Sequence, residues 1–194
     1  MFSRFLTAAA VVIAVSQPIF AQAPVENELY PLKVGNEWVF KSGPVELIEK
    51  VAAIEEINGE PCARIETVYN GKVVAHEHLA VRKDGVYRVA VAGQLVDPPL
   101  CFLKFPAQPG TQWAVRSKVK ESEIAGRFVL SQTKVQLPAG EYPALMAEGK
   151  DFESEGTKLS FSYYFIPRVG KVKQQISVGG KEAVLLLKTF RPAQ

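Results

Sequence analysis

Apolar and polar side chains alternate along most of this chain, the period-two pattern of strands with one buried face. Segments such as Ala63-Arg64-Ile65-Glu66-Thr67-Val68-Tyr69 and Lys158-Leu159-Ser160-Phe161-Ser162-Tyr163 place one kind of side chain on alternate positions. Turn signals separate such segments at short intervals: Asn58-Gly59, Asn70-Gly71, Asp84-Gly85, Ala139-Gly140 and Gly179-Gly180. Type I′ hairpin turns need positive φ at both central residues, so Asn70-Gly71 and Gly179-Gly180 predict hairpins most directly. One stretch reads two ways. Glu46 to Ile57 carries apolar residues at 47, 48, 51, 54 and 57, which is helical spacing. It is bounded by Gly43-Pro44 and Asn58-Gly59 and sits among strands, so it is assigned to a strand.

An internal repeat organises these strands. Tyr30-Pro31-Leu32-Lys33-Val34-Gly35-Asn36-Glu37-Trp38 returns 75 positions later as Phe105-Pro106-Ala107-Gln108-Pro109-Gly110-Thr111-Gln112-Trp113, and the two tryptophans of the protein take the same place in both copies. Gly59-Glu60-Pro61-Cys62-Ala63 matches Gly140-Glu141-Tyr142-Pro143-Ala144, and His78 to Val86 lines up loosely with Tyr163 to Lys171. The pattern predicts two tandem diverged units, about 30–100 and about 105–190, joined by Leu95 to Pro106 with its Pro98-Pro99 pair. Neither unit can bury its apolar face alone. The expected fold is therefore one all-β domain over 24–194, an antiparallel curved sheet of ten to twelve strands forming a sandwich or a barrel, closed or open.

The start of the chain reads as a secretory leader. Arg4 supplies the positive charge, Phe5 to Val15 an apolar run too short for a bilayer, and Ala21-Gln22-Ala23 a small-x-small cleavage pattern. Residues 1–23 are thus expected to be a signal peptide, and the product periplasmic or extracellular. Without Arg4 the 23 basic residues become 22 against 20 acidic, close to neutral. That balance lacks the concentrated positive field nucleic-acid binding draws on. No later apolar run reaches the length of a transmembrane helix. Cys62 and Cys101 could form a disulfide in an oxidising compartment or sit as two buried free thiols in adjacent strands.

The Tyr30 to Trp38 motif, Val135-Gln136-Leu137-Pro138-Ala139-Gly140-Glu141-Tyr142 and Tyr163-Tyr164-Phe165-Ile166-Pro167-Arg168-Val169-Gly170-Lys171-Val172-Lys173 resemble motifs of secreted bacterial β-rich domains of unknown function, including the TapB-like proteins. The resemblance spans most of the mature chain, and its motifs are structural. It implies kinship with the open, curved barrel of lipoprotein-carrier proteins, which hold acyl chains in a concave face. By that analogy, at the level of fold, the chain would bind an apolar small molecule or lipid.

Few residues suggest chemistry. His76 and His78 of His76-Glu77-His78 share a strand face and could share a zinc ion, but no third ligand is apparent, and two solvated histidines are the simpler reading. A Ser-His-Asp arrangement would need one of them, yet no Gly-x-Ser-x-Gly elbow exists. Phosphate-cradling glycine loops and EF-hand patterns are also missing. The expectation is no enzyme, no cofactor and no metal. Trp38, Trp113, Phe161, Tyr163 and Phe165, with Phe128, could line a concave face for an apolar ligand, or could simply fill the core. Lys171 and Lys173, and Arg82, Lys83 and Arg88, read as a charged outer face. Two functions follow: a non-catalytic binder of an apolar or amphipathic ligand, or a structural or protein-interaction module with a filled interior.

Overall fold

The computed structural model describes residues 27–194, and the expected leader over residues 1–23 lies outside them. Twelve strands follow in order: β1 (Glu37–Ser42), β2 (Val45–Ile57), β3 (Glu60–Tyr69), β4 (Lys72–Arg82), β5 (Gly85–Val91) and β6 (Gln94–Lys104), then β7 (Gln112–Val119), β8 (Ser122–Leu137), β9 (Gly140–Ser154), β10 (Thr157–Ile166), β11 (Gly170–Val178) and β12 (Lys181–Arg191). Each pairs antiparallel with its sequence neighbours, and β1 pairs with β12, so the meander closes into one barrel. Closure settles the choice left by the sequence among sandwich, open barrel and closed barrel. It also leaves no free sheet edge at either end of the strand order.

Up-and-down order sends alternate turns to opposite ends. At one end every connection is a two-residue turn: 43–44, 70–71, 92–93, 120–121, 155–156 and 179–180. Asn70 and Gly71 have φ of 49° and 73°, and Ala92-Gly93 and Glu155-Gly156 adopt the same left-handed pair without an Asn to announce it. We call this the hairpin end. The opposite end is sealed by the segment before β1. Tyr30 is buried there with ring centroids 5.8 Å from Trp38, 6.4 Å from Phe102 and 5.7 Å from Phe165. Asn36 ties the segment before β1 to the residues after β12: its Nδ2 donates to Pro31 O at 2.7 Å, and its Oδ1 accepts from Ala193 N at 2.7 Å.

The two tryptophan turns carry the same backbone hydrogen bonds. Gly35 N donates to Val51 O and Val51 N to Asn36 O; likewise Gly110 N donates to Leu130 O and Leu130 N to Thr111 O. Asn36 N to Lys33 O is matched by Thr111 N to Gln108 O. Trp38 Nε1 donates to Val169 O at 2.6 Å, and Trp113 Nε1 to Cys101 O at 2.9 Å.

Leu95 to Lys104 belong to β6 rather than to a linker, and the connection is 105–111. Pro98 and Pro99 are accommodated because β6 is irregular there: the β5–β6 register shifts between Arg88 and Ala90. On its other side β6 meets β7 through only two register pairs, Val96 with Val119 and Asp97 with Lys118. By contrast, β8 and β9 stay paired from Ala125 to Leu137 with a single shift.

Candidate functional site

The wall of β10, β9 and β8 is lined by aromatic rings made to fit by glycine. A Cβ on Gly126 would stand 2.5 Å from Phe152 Cγ, and one on Gly149 2.9 Å from Phe152 Cε2. Phe152 therefore lies flat on the backbone, 5.1 Å from Phe128 and 5.1 Å from Phe161 between centroids. Ring contacts run on from Phe128 to Trp113 at 5.4 Å and to Tyr163 at 6.3 Å, then through Phe102 and Tyr30 to Trp38 and Phe190. Of the aromatic residues singled out from sequence, Trp38 and Phe165 are buried at the sealed end and Tyr163 in mid-barrel, while Trp113 and Phe161 are half-buried. One chain of contacts joins them, and Phe161 stands nearest the hairpin end.

A layer of charge crosses the middle of the barrel. Lys171 Nζ lies 2.9 Å from both Glu49 oxygens and donates to Gln174 Oε1 at 2.7 Å. Arg88 Nε donates to Glu77 Oε2 at 2.5 Å. Burial alone would push the Glu77 carboxyl up, but Arg88 and Lys171 hold it below the usual carboxylate range. Burial likewise opposes the Arg88 cation, yet Glu77 and Tyr163 raise its pKa. Burial, followed by the Glu49 and Glu77 charges, pushes the Tyr30 phenol well above its ordinary value.

This layer corrects the expectation of a charged outer face. Phe165 pairs with Lys171 and Tyr164 with Lys173, so β11 bulges at Val172 and sends the two lysines to opposite faces. Lys173 stays outside, its Nζ 4.8 Å from the Tyr164 ring centroid. Arg88 turns inward through the register shifts on both sides of β5, whereas Arg82 stays outside and grips Glu60 with two hydrogen bonds.

Above the charged layer, toward the hairpin end, inward-facing side chains are open to solvent. Register places Thr67 beside Glu49, and Ala75 beside Thr67, on the inner face. Ala75, Ala183 and Val178 are exposed there, and Leu47, Leu185 and Ile176 half-buried. The side chains of Glu77 and Arg88 retain 19% and 21% exposure although both point into the barrel. Open space therefore stands beside them within the barrel. The rim at the hairpin end is apolar: Tyr69, Val73, Val74, Leu95 and Val178 are five of the seven large exposed hydrophobic residues among the described residues. At the β9–β10 lip a half-open pocket of about 320 Å³ is lined by Asp151, Phe152, Glu153, Lys158 and Leu159.

Outside the barrel the histidines behave unequally. Their rings are 5.9 Å apart on one face, but His78 is buried with Nε2 2.7 Å from Glu55 Oε2, not solvated as the sequence suggested. The hydrogen bond from His78 leads the effects that lower the Glu55 carboxyl. Among the described residues, no group of three or more His, Cys, Asp or Glu is placed to hold a metal ion. Cys62 and Cys101 are free and buried. Three strand spacings, about 14 Å, separate their strands, beyond disulfide reach. Burial pushes the Cys62 thiol up to about 11 and raises Cys101. No helix among the described residues is long and apolar enough to cross a membrane.

Comparison with solved structures shows the same fold elsewhere. The crystal structure of a candidate lipoprotein from Parabacteroides distasonis aligns with 86% of this chain and 99% of its own, at a TM-score of 0.51 and 14% identity. A candidate exported protein from Bacteroides fragilis, described as having a YmcC-like fold, aligns over 84% and 99%, at a TM-score of 0.46 and 15% identity. No protein-family model and no curated protein matches the sequence. At this identity the likeness to the first is one of fold.

Proposed function

We propose that this chain is an exported, non-catalytic binding protein that receives an apolar or amphipathic ligand through the mouth at the hairpin end. The exposure of Glu77 and Arg88 carries the reading: two charged side chains inside a closed barrel keep about a fifth of their surface in water beneath a ring of exposed, inward-facing apolar residues. Such an arrangement offers a tail apolar wall and a head group polar floor. The leader pattern of residues 1–23 supports a periplasmic or extracellular place of action, and the near-neutral charge argues against a nucleic-acid partner. The resemblance to TapB-like and lipoprotein-carrier-like proteins points the same way. Native mass spectrometry of protein taken from its own periplasm or medium tests the reading. It predicts a population carrying one additional small amphiphile, removed by organic extraction and restored by adding the extract back. Protein that is always bare, and stays bare when the extract is offered, contradicts it.

A second reading is a structural or interaction module that acts through its loops. It is favoured by the unbroken ring contacts from Phe190 to Trp113, which fill much of the interior. On that reading the isolated protein carries no small molecule.

A further inference from the structure

Arg88 and Glu77 hold each other by a single hydrogen bond, although their side chains can form two. Outside the barrel Arg82 grips Glu60 through Nε and Nη2 together. Inside, Arg88 gives Glu77 only its Nε. Among the described residues, neither terminal nitrogen of Arg88 donates a hydrogen bond and Glu77 Oε1 receives none, yet the buried side-chain atoms left without a partner are Glu49 Oε2 and His78 Nδ1 alone. The three unpaired atoms of this pair therefore border open space, as the partial exposure of both side chains requires. Register sets the pair close to the hairpin end. Glu77 stands beside Val91, the last residue of β5 before the turn 92–93, and on the same face as the exposed Ala75. Phe102 backs the guanidinium, with its ring centroid 5.5 Å from Arg88 Cζ. The pair thus offers donors and an acceptor side by side, with its own charges already balanced.

Resting on the reading of the mouth as a ligand site, we infer that its polar floor is the Arg88–Glu77 pair and that it selects amphiphiles whose uncharged head joins an acceptor to an O–H or N–H donor. The acceptor of the head takes the terminal N–H groups of Arg88, its donor is given to Glu77 Oε1, and the tail rises past Ala75 toward the apolar rim. A carboxylate head meets Arg88 but sets like charge against Glu77 and has nothing to donate. An ammonium head meets Glu77 but sets like charge against Arg88.

Isothermal titration of four probes with one tail length tests this at about pH 8, where laurate is an anion and dodecylamine a cation. 1-Lauroylglycerol brings an acceptor and donors, and methyl laurate an acceptor only. The glycerol ester should bind about tenfold or more tightly than each of the other three, the difference one satisfied polar contact makes. Glu77→Leu with Arg88→Met removes both charges together, which avoids stranding either one, and circular dichroism checks its fold. In that variant the two esters should bind within about twofold of each other. Equal affinity of the two esters in the unmodified protein, or tightest binding by laurate or dodecylamine, overturns the selection rule and leaves the mouth standing. An advantage of the glycerol ester that survives the double substitution overturns the placement of the head at this pair. Absence of binding by all four overturns the mouth as well.

Discussion

Glu77 shows how single residues set the behaviour of this barrel. Its carboxyl is held below the unfolded value of about 4.3. A carboxyl lowered in this way stabilises the fold at pH above its unfolded pKa, and that contribution is lost as pH falls through the folded value. Glu77→Gln should therefore lower the melting temperature at pH 7, where it strands Arg88, and flatten the loss of stability below about pH 4. The loss at pH 7 should fall at the lower end of the about 3–5 kcal/mol typical of broken buried pairs, since both partners are partly wet. Melting curves from pH 7 to 3 check this, and parallel pH profiles for the two proteins would refute it. Other lowered carboxyls, such as Glu46 and Glu66, lie on the outer face, where water and salt screen them. Sequence alone could not separate these classes. Glu77 inside and Glu66 outside look alike until the register assigns each to a face.

Between elements, bulges decide what the alternating pattern conceals. The helical-looking spacing of β2 has this origin: Leu47 and Val51 face inward, the register slips between Val51 and Ala53, and Ile54 then faces inward as well. The strand was legible because turn residues bounded it, but its faces were not. The same device separates Lys171 from Lys173 and turns Arg88 inward, which is why the charged layer was invisible in the sequence. Turns were legible where Asn or Gly opened them, at Asn70-Gly71 and Gly179-Gly180, and missed at Lys120-Glu121, whose residues carry no turn signature. The β6–β7 seam adds a mechanical prediction. With two register pairs, and Trp113 Nε1 bonding across to Cys101 O, its backbone is held far less than that of β8 and β9. Hydrogen–deuterium exchange should reach the β7 amides between Trp113 and Ser117 that point toward β6 well before those of β8 from Phe128 to Leu137. Equal protection would mean the seam is paired in solution.

On the scale of the whole molecule, the barrel divides at two opposed junctions, β1–β12 and β6–β7, into halves of six strands, each led by a tryptophan turn. Two curved six-stranded walls complete each other on closure. Alternation and turns gave the all-β class and the strand number. The pairing of β1 with β12, some 150 positions apart, and the difference between a sealed and an open end depend on three-dimensional assembly. Those two ends are the centre of the functional account, because a ligand needs the open one. Ala75 faces into the mouth, its neighbour His76 faces out, and the native thiols of Cys62 and Cys101 are buried and protonated at neutral pH. Maleimide labelling of Ala75→Cys and, as the outward control, His76→Cys, with and without saturating 1-lauroylglycerol, therefore reads the mouth directly. The account predicts that both thiols label readily in the free protein and that the amphiphile slows only the one at position 75, by about tenfold or more. A thiol at 75 that labels at the same rate with and without the amphiphile, or that cannot be labelled at all, would contradict it.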